Sequence, residues 1–404
     1  MNPILLGRQV VGGLKGLVRD TLNTTSPAFD GTVDRFLVTP GNYIKGPWIS
    51  VAMPFKQSVK PGEPFEQPFP EVPLKFAPYR HQETAFDRLG AKEPRSTLIA
   101  TGTGSGKTES YLWPIFEHCR ANKGKPGIKA ILIYPMNALA TDQARRIARA
   151  VHEIPSLKGV RAGIYADAEP KMVTDAMTEH DVITHRSAMW DSPPDILLTN
   201  YKMLDYLLLR GRDQPLWAQN FPETLRFLVV DEMHTFDGAQ GADLALLIRR
   251  LKHRLATPAE HLICVGSSAT LGTGDEAAGA LRTYAKTIFG EEFDENAVIR
   301  ETRQTPSEVL PEAEYFDWPE PASVDAALEA ALAMPQPEAA YHLSQCLFPT
   351  SSDPDIKLLH DGRPSEASWR LLLGRLLLEH VAANRVIRVI AEQSGPASLD
   401  SIAE

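Results

Sequence analysis

Cysteine is scarce in this chain: three residues in 404, at Cys119, Cys264 and Cys346. An odd number with no CxxC spacing excludes a disulfide framework and argues against a structural zinc site. Cys264 lies inside the apolar run His261-Leu-Ile-Cys-Val265 and reads as a small core side chain, not a reactive thiol. Uninterrupted apolar runs of about 18 residues are also missing, so no segment is expected to span a bilayer. The N-terminus has an apolar patch, Ile4 to Val11, but no basic region before it and no small-residue cleavage site. The chain is therefore read as cytoplasmic, with no membrane partner.

Disorder throughout is not compatible with 43% hydrophobic and 23% charged residues; a sizeable core is possible. The length suits two or three domains. A net charge of −9 speaks at first against a nucleic-acid partner, but the charge is divided. Residues 1–270 hold 28 acidic and 32 basic side chains, whereas 271–404 hold 23 and 10. A mildly basic region followed by a strongly acidic one suggests two jobs.

Residues 1–53 show no clear motif, and seven prolines between Pro54 and Pro78 predict an extended lead-in, because proline lacks an amide proton and fixes φ. From Phe76 to Leu271 short apolar runs alternate with amphipathic ones. Strands are expected at 96–100, 129–134, 160–165, 195–199, 226–230 and 261–266, and helices at 107–121, 138–153, 201–210 and 238–254. Strands rich in Ile, Leu and Val and spaced by helices predict an α/β fold, a doubly wound parallel sheet covered on both faces. Chemistry in such a sheet sits beyond the carboxyl ends of the strands. Beyond Leu271 a helix is expected at 275–289, then short helices at 323–333 and 339–347, a long amphipathic run at 365–392, and a last helix capped by Ser398.

The polar motifs fall where the apolar runs stop. Thr101-Gly-Thr-Gly-Ser-Gly-Lys-Thr108 follows the strand Ser96–Ala100 and precedes a helix. A glycine-rich turn can aim backbone amides inward, and the helix beneath adds its positive end, so this is a phosphate cradle. Lys107 is placed to reach β- and γ-phosphates and Thr108 to hold Mg²⁺. Thr101 stands where the strict phosphate-loop pattern has its first glycine. Phe227-Leu-Val-Val-Asp-Glu-Met-His234 puts two acids at the mouth of a buried strand. Charge there is costly unless something positive shares the site, and Mg²⁺ carried with a triphosphate is such a partner. Asp231 then binds the metal and Glu232 polarises the attacking water. Gly266-Ser-Ser-Ala-Thr270 ends another strand, and Tyr79-Arg-His-Gln82 precedes Lys107 by 25 residues; the Gln82 amide can pair with an adenine edge.

Taken in this order, the four segments resemble the first motor domain of superfamily 2 helicases of the DEAD/DEAH-box (DExH) type. Tyr79–Gln82 resembles the Q motif, the loop through Thr108 motif I, Asp231-Glu-Met-His234 motif II, and Ser268-Ala-Thr270 motif III. Tyr134-Pro-Met-Asn-Ala-Leu-Ala-Thr-Asp-Gln143 resembles motif Ia and Leu198-Thr-Asn200 motif Ib. The resemblance implies ATP binding by Tyr79, Gln82, Thr103, Gly104, Ser105, Gly106, Lys107 and Thr108. Lys107, Asp231, Glu232 and His234 are implied in catalysis, with Mg²⁺ on Thr108 and Asp231. Ser268, Ala269 and Thr270 are implied in coupling, and Pro135, Asn137, Gln143, Thr199 and Asn200 in nucleic-acid contact. Arg145, Arg146 and Arg149 read as a solvated helix face. Paired glycines, Gly238 and Gly241, leading to Arg249-Arg250-Leu251 resemble the large bacterial helicases of the MrfA repair type and those of the DISARM and Druantia phage-defence systems. Lys45-Gly-Pro-Trp48 and Met53-Pro-Phe55 resemble the lead-in of the defence members.

Four regions are expected: an N-terminal extension (1–75), a RecA-like ATP-binding domain (76–290), an acidic proline-rich linker (291–364) and a helical, winged-helix-like segment (365–404). A helical hairpin is the equal alternative for the last. The motor type uses a second RecA-like domain, which brings an arginine to the ATP site. Since no such pattern follows Leu271, the chain is expected to be a truncated or split motor half, served by a second polypeptide and acting on DNA rather than RNA. A rival reading is a non-catalytic, nucleotide-gated scaffold for a partner protein.

Overall fold

A computed structural model of the chain describes residues 3–22, 26–29, 31–39, 48–60, 62–166, 173–269, 275–313, 321–348, 368–392 and 397–398. They form two compact units, Phe55–Arg303 and a second built from Met1–Pro54 with Gln304–Glu404.

The first unit is organised by seven strands: β1 (Thr97–Ala100), β2 (Ala130–Ile133), β3 (Ala162–Tyr165), β4 (Ile196–Thr199), β5 (Phe227–Val230), β6 (Ile263–Ser268) and β7 (Val298–Arg300). All pairings are parallel, in the order β3-β4-β2-β5-β6-β1-β7. Side chains alternate across a strand, and here both faces are covered. Ile131, Ile133, Leu228 and Val230 point into one layer, against α5 (Tyr201–Leu209), α6 (Gly238–Leu255) and α7 (Asp275–Phe289). Ala130, Leu132, Phe227 and Val229 point into the other, against α1 (Arg80–Leu89), α2 (Lys107–Ala121) and α3 (Asn137–Glu153). The short α4 (Arg186–Asp191) adds Met189 to the first layer. Burying a Leu, Ile or Phe contributes about 1.5–3 kcal/mol each, so these two layers hold the carboxyl edge of the sheet rigid.

That edge positions the chemistry. The loops after β1 and β5 leave it on the same side with only β6 between them, roughly 10 Å apart at the 4.8 Å strand spacing. Side chains can close that gap. The opposite edge carries a groove of about 1610 Å³ lined by Ser96, Arg226 and Leu262 at the strand starts, which shares no residue with the glycine loop or the paired acids. Two ion pairs lie within it, Lys252–Glu291 and Lys286–Glu292, each at 2.5 Å.

Several elements depart from expectation. β7 was not foreseen: it has three residues, only the middle one buried, and so leaves no apolar run to read. The compact unit also runs wider than 76–290, because Phe55 bridges Arg303 and the Lys56 amide donates to the Thr302 carbonyl at 2.7 Å. Residues 54–78 contain no helix or ladder strand among those described, as their prolines require. β6 extends to Ser268, past the expected end at 266.

In the second unit, helices at Pro3–Thr21 and Thr32–Val38 occupy a region expected to lack motifs. The single run expected at 365–392 is two helices, Ser368–Glu379 and Val381–Glu392. They part at the buried His380, whose ring accepts from the Ala382 amide at 3.2 Å and so caps the second helix. Pro321–Leu332 and Gln336–Leu347 complete this helical region, with Ala340, Leu347, Phe348, Leu373 and Leu376 as its core. Ser398 lies in the short strand Ala397–Ser398, antiparallel to Trp48–Ile49; the helix expected beyond it falls outside the described residues.

Candidate functional site

The glycine loop turns directly from β1 into α2. Gly104 and Gly106 take φ of 80° and 76°, the left-handed region that an L side chain adopts only with strain. Gly106 has a second constraint, because a Cβ there would stand 2.3 Å from the Gln82 amide nitrogen. Thr101, at the position of the missing first glycine, is buried, and its hydroxyl lies 2.6 Å from that of Ser105. The pair closes the base of the loop, while Thr103 and Gly104 stay exposed above it. Lys107 and Thr108 open α2, where free amides and the helix dipole favour an anion.

Across β6, the turn after β5 holds the two acids. Asp231 is buried, which raises its carboxyl above the ordinary value; a hydrogen bond from Ser267 opposes that shift. Glu232 sits at φ 49°, ψ 49°, a left-handed conformation that costs a residue with a side chain about 1–2 kcal/mol. One of its oxygens accepts from Lys107 Nζ at 3.1 Å. The other, Oε2, is buried without a hydrogen bond, although His234 Nδ1 approaches to 3.4 Å. Ser267 bridges the acids, accepting from the Glu232 amide at 3.1 Å while donating to Asp231. Ser268 Oγ lies 3.3 Å from His234 Nδ1. Ala269 follows at the edge of the sheet, and Thr270 lies outside the described residues.

Around the other side of the loop, Gln82 accepts from the Tyr79 amide at 2.9 Å and donates to the Gly106 carbonyl at 3.1 Å. The side chain expected to read a base thus ties the start of α1 to the loop. Beside it, buried His81 meets the Ser105 carbonyl at 2.8 Å through Nε2. A carbonyl only accepts, so Nε2 carries the proton and Nδ1 is a buried acceptor with no partner. Burial also lowers the His81 pKa, which keeps the ring neutral. Two residues beyond the expected motor domain join the site. Glu301, just past β7, accepts from the Gly102 amide at 2.5 Å and from Arg303 Nε at 2.6 Å. The Arg303 guanidinium lies 4.3 Å from the Phe55 ring, which packs against Tyr79 at 5.3 Å.

The residues expected to touch nucleic acid form a second group at the ends of β2 and β4. Asn137 accepts from Asn200 Nδ2 at 2.7 Å, and Asn200 Oδ1 caps α5 by accepting from the Met203 amide at 2.8 Å. Thr199 is fully buried, with its hydroxyl donated to the Tyr165 carbonyl at 2.8 Å. Gln143 is also buried and accepts from Arg146 at 3.1 Å. Pro135 is half-buried and Met136 exposed. The site that remains open on this edge is therefore chiefly backbone at the starts of α3 and α5.

Residues 79–277 match the DEAD/DEAH box helicase family. The chain carries a DEAD/DEAH box helicase domain. Two curated relatives are the Druantia protein DruE of Escherichia coli, 28% identical over 325 residues, and an uncharacterized ATP-dependent helicase of Methanocaldococcus jannaschii, 27% identical over 221. The matches cover 53% and 55% of this chain but only 18% and 29% of those proteins. Among solved structures, the helicase MrfA bound to DNA and AMPPNP aligns at 19% identity with a TM-score of 0.47, over 76% of this chain and 41% of that one.

In this helicase domain the donor set suits a hard divalent cation. Thr108 and Asp231 offer oxygen only, and no cluster of three or more His, Cys, Asp or Glu able to cage a metal occurs among the described residues. Mg²⁺ is usually held that way, by one or two protein oxygens together with substrate phosphates. Ser267 and Glu301 stand in the candidate site through their hydrogen bonds, and sequence reasoning missed both. Ser267 stood inside a quoted segment, but nothing local separates it from Ser268. Glu301 lies 194 residues from Lys107 and gave no signal at all.

Proposed function

We propose that this chain is the ATP-binding half of a DExH-type motor that couples ATP binding and hydrolysis to movement on nucleic acid, DNA rather than RNA. The Lys107–Glu232 ion pair carries the reading. It joins the phosphate loop to the acid turn at 3.1 Å, with both side chains largely shielded from water, where a triphosphate's terminal group belongs. An incoming γ-phosphate takes over Lys107 and releases Glu232 to orient a water. The loop amides and the start of α2 hold the β-phosphate. Thr108 and Asp231 hold Mg²⁺, which supplies charge neutralisation on the phosphate oxygens. Ser268 and His234 link this turn to the end of β6, the step by which nucleotide state reaches the starts of α3 and α5. There, free amides receive the phosphates of a strand.

The described residues contain one such sheet. A second RecA-like unit, in the same polypeptide or another, supplies the arginine that neutralises the transition state, a contribution of about 10³–10⁵ in rate. The similarity to a Druantia protein supports a role in defence against phage, and the resemblance of Gly238, Gly241 and Arg249-Arg250-Leu251 to the MrfA repair type leaves genome repair as the second reading. The experiment is direct. The 404-residue chain should bind a fluorescent ATP analogue in the presence of Mg²⁺, and Lys107→Ala should abolish this. Turnover should be slow with single-stranded DNA alone and rise when the second unit is added. A wild-type chain that ignores the analogue would refute the proposal.

A further inference from the structure

We infer that Glu109 and Arg146 form a strut that carries nucleotide state from the phosphate loop to the nucleic-acid edge; this rests on the motor reading above. Glu109 is in the first turn of α2, two residues beyond Lys107. Arg146 projects from the middle of α3, whose first residue, Asn137, is bonded to Asn200 on the expected strand-binding edge. Arg146 donates from Nη2 to Glu109 Oε1 and from Nη1 to Gln143 Oε1. Both helices lie on the same face of the sheet, so this fork spans two elements that each begin at a proposed anion site.

Two features separate a relay from an ordinary surface ion pair. The second Glu109 oxygen, Oε2, is buried and has no hydrogen-bond partner. It also faces the loop, since a Cβ on Gly106 would lie 3.3 Å from it. In addition, Arg146 sits within the field of Asp231, which favours its charged form against the burial that lowers its pKa. One guanidinium is thus bonded to a carboxylate on α2 while lying in the field of another at the end of β5. A triphosphate entering that cleft adds negative charge beside Glu109 and competes for Arg146. Any shift of the fork moves α3, and with it the Asn137 end. As a static bridge the pair does little for folding, because the Arg146 side chain is 41% exposed. Its consequence is positional.

The test is a double-mutant cycle on the full chain. The affinity for a fluorescein-labelled single-stranded DNA oligonucleotide is measured by anisotropy with and without AMPPNP, for wild type, Glu109→Gln, Arg146→Gln and the double variant. AMPPNP affinity and thermal midpoint are measured alongside. The wild-type ratio of DNA affinities should shrink at least about threefold in each single variant, and no further in the double. Arg146→Lys, which keeps charge without the fork, should fall between. AMPPNP affinity without DNA should rise modestly in Glu109→Gln and fall modestly in Arg146→Gln, because the phosphate competes with the first for the second, and the midpoint should hold. Variants that keep the wild-type ratio, or a wild type that binds both ligands without coupling, overturn the strut alone. A wild type that fails to bind either ligand sinks the motor reading with it.

Discussion

Ser267 donates its hydroxyl proton to the Asp231 carboxylate and, with the same oxygen, accepts from the amide of the next acid, Glu232, at 3.1 Å. One side chain on β6 thereby fixes a buried charge and a strained backbone on β5. Ser267→Ala removes both bonds at once. Mg²⁺-dependent nucleotide affinity should weaken about 10- to 100-fold, as when the support behind a metal ligand is lost. Thermal unfolding should show a cost of about 1–3 kcal/mol. A calorimetric titration with and without Mg²⁺ checks this, since the loss should vanish when the metal is omitted.

Gly106→Ala combines a left-handed φ of 76° with a Cβ placed 2.3 Å from Gln82. The strain should cost about 1–2 kcal/mol of stability. More tellingly, Gln82 must release the Gly106 carbonyl, so nucleotide binding should fall below detection while Gly104→Ala, whose Cβ meets nothing within 4 Å, keeps part of it. Equal loss in both variants would show that φ alone matters.

Glu301 holds the Gly102 amide of the loop from outside every motif segment read in the sequence. Glu301→Ala leaves the Gly102 amide and Arg303 Nε without that acceptor. We expect a stability loss of about 1–3 kcal/mol and several-fold weaker ATP binding. Glu301→Gln should retain much of the geometry. Urea unfolding and analogue titration of both variants decide the matter.

His118, on α2 and packed edge-on to Phe227 at 5.4 Å, has its pKa lowered to about 4 by burial and then by Arg226 and Lys129. The unfolded ring titrates near its ordinary 6.5. Between these values the unfolded state holds a proton that the folded state does not, so stability falls as pH drops from 6.5 towards 4. The loss should reach about 2 kcal/mol at pH 5. His81 and His261 are lowered too and add to the slope. Urea unfolding at pH 7 and pH 5 should show a smaller difference in His118→Gln than in wild type.

Six strands and four of the helices between them were legible because a buried strand reads as a short apolar run and a long helix as a 3.6-residue period; α4, only six residues long, was not foreseen. The glycine loop and the acid pair were legible because both sit where such a run stops. β7 was not, since an edge strand of three residues with one buried side chain is indistinguishable from a loop. The division at His380 escaped for a similar reason: an amphipathic run continues across it, and only the ring's cap on Ala382 marks the break.

Local order along the chain, then, determined the fold class and which residues could meet a phosphate, because strand ends, glycine turns and helix starts are written in consecutive residues. Which hydroxyl supports Asp231, which carboxylate holds Gly102, and whether Gln82 faces a base or the loop were decided only in three dimensions. Those contacts join residues tens to nearly two hundred positions apart. They depend on strand order, on the face to which a side chain alternates, and on distances of about 3 Å that no linear pattern encodes.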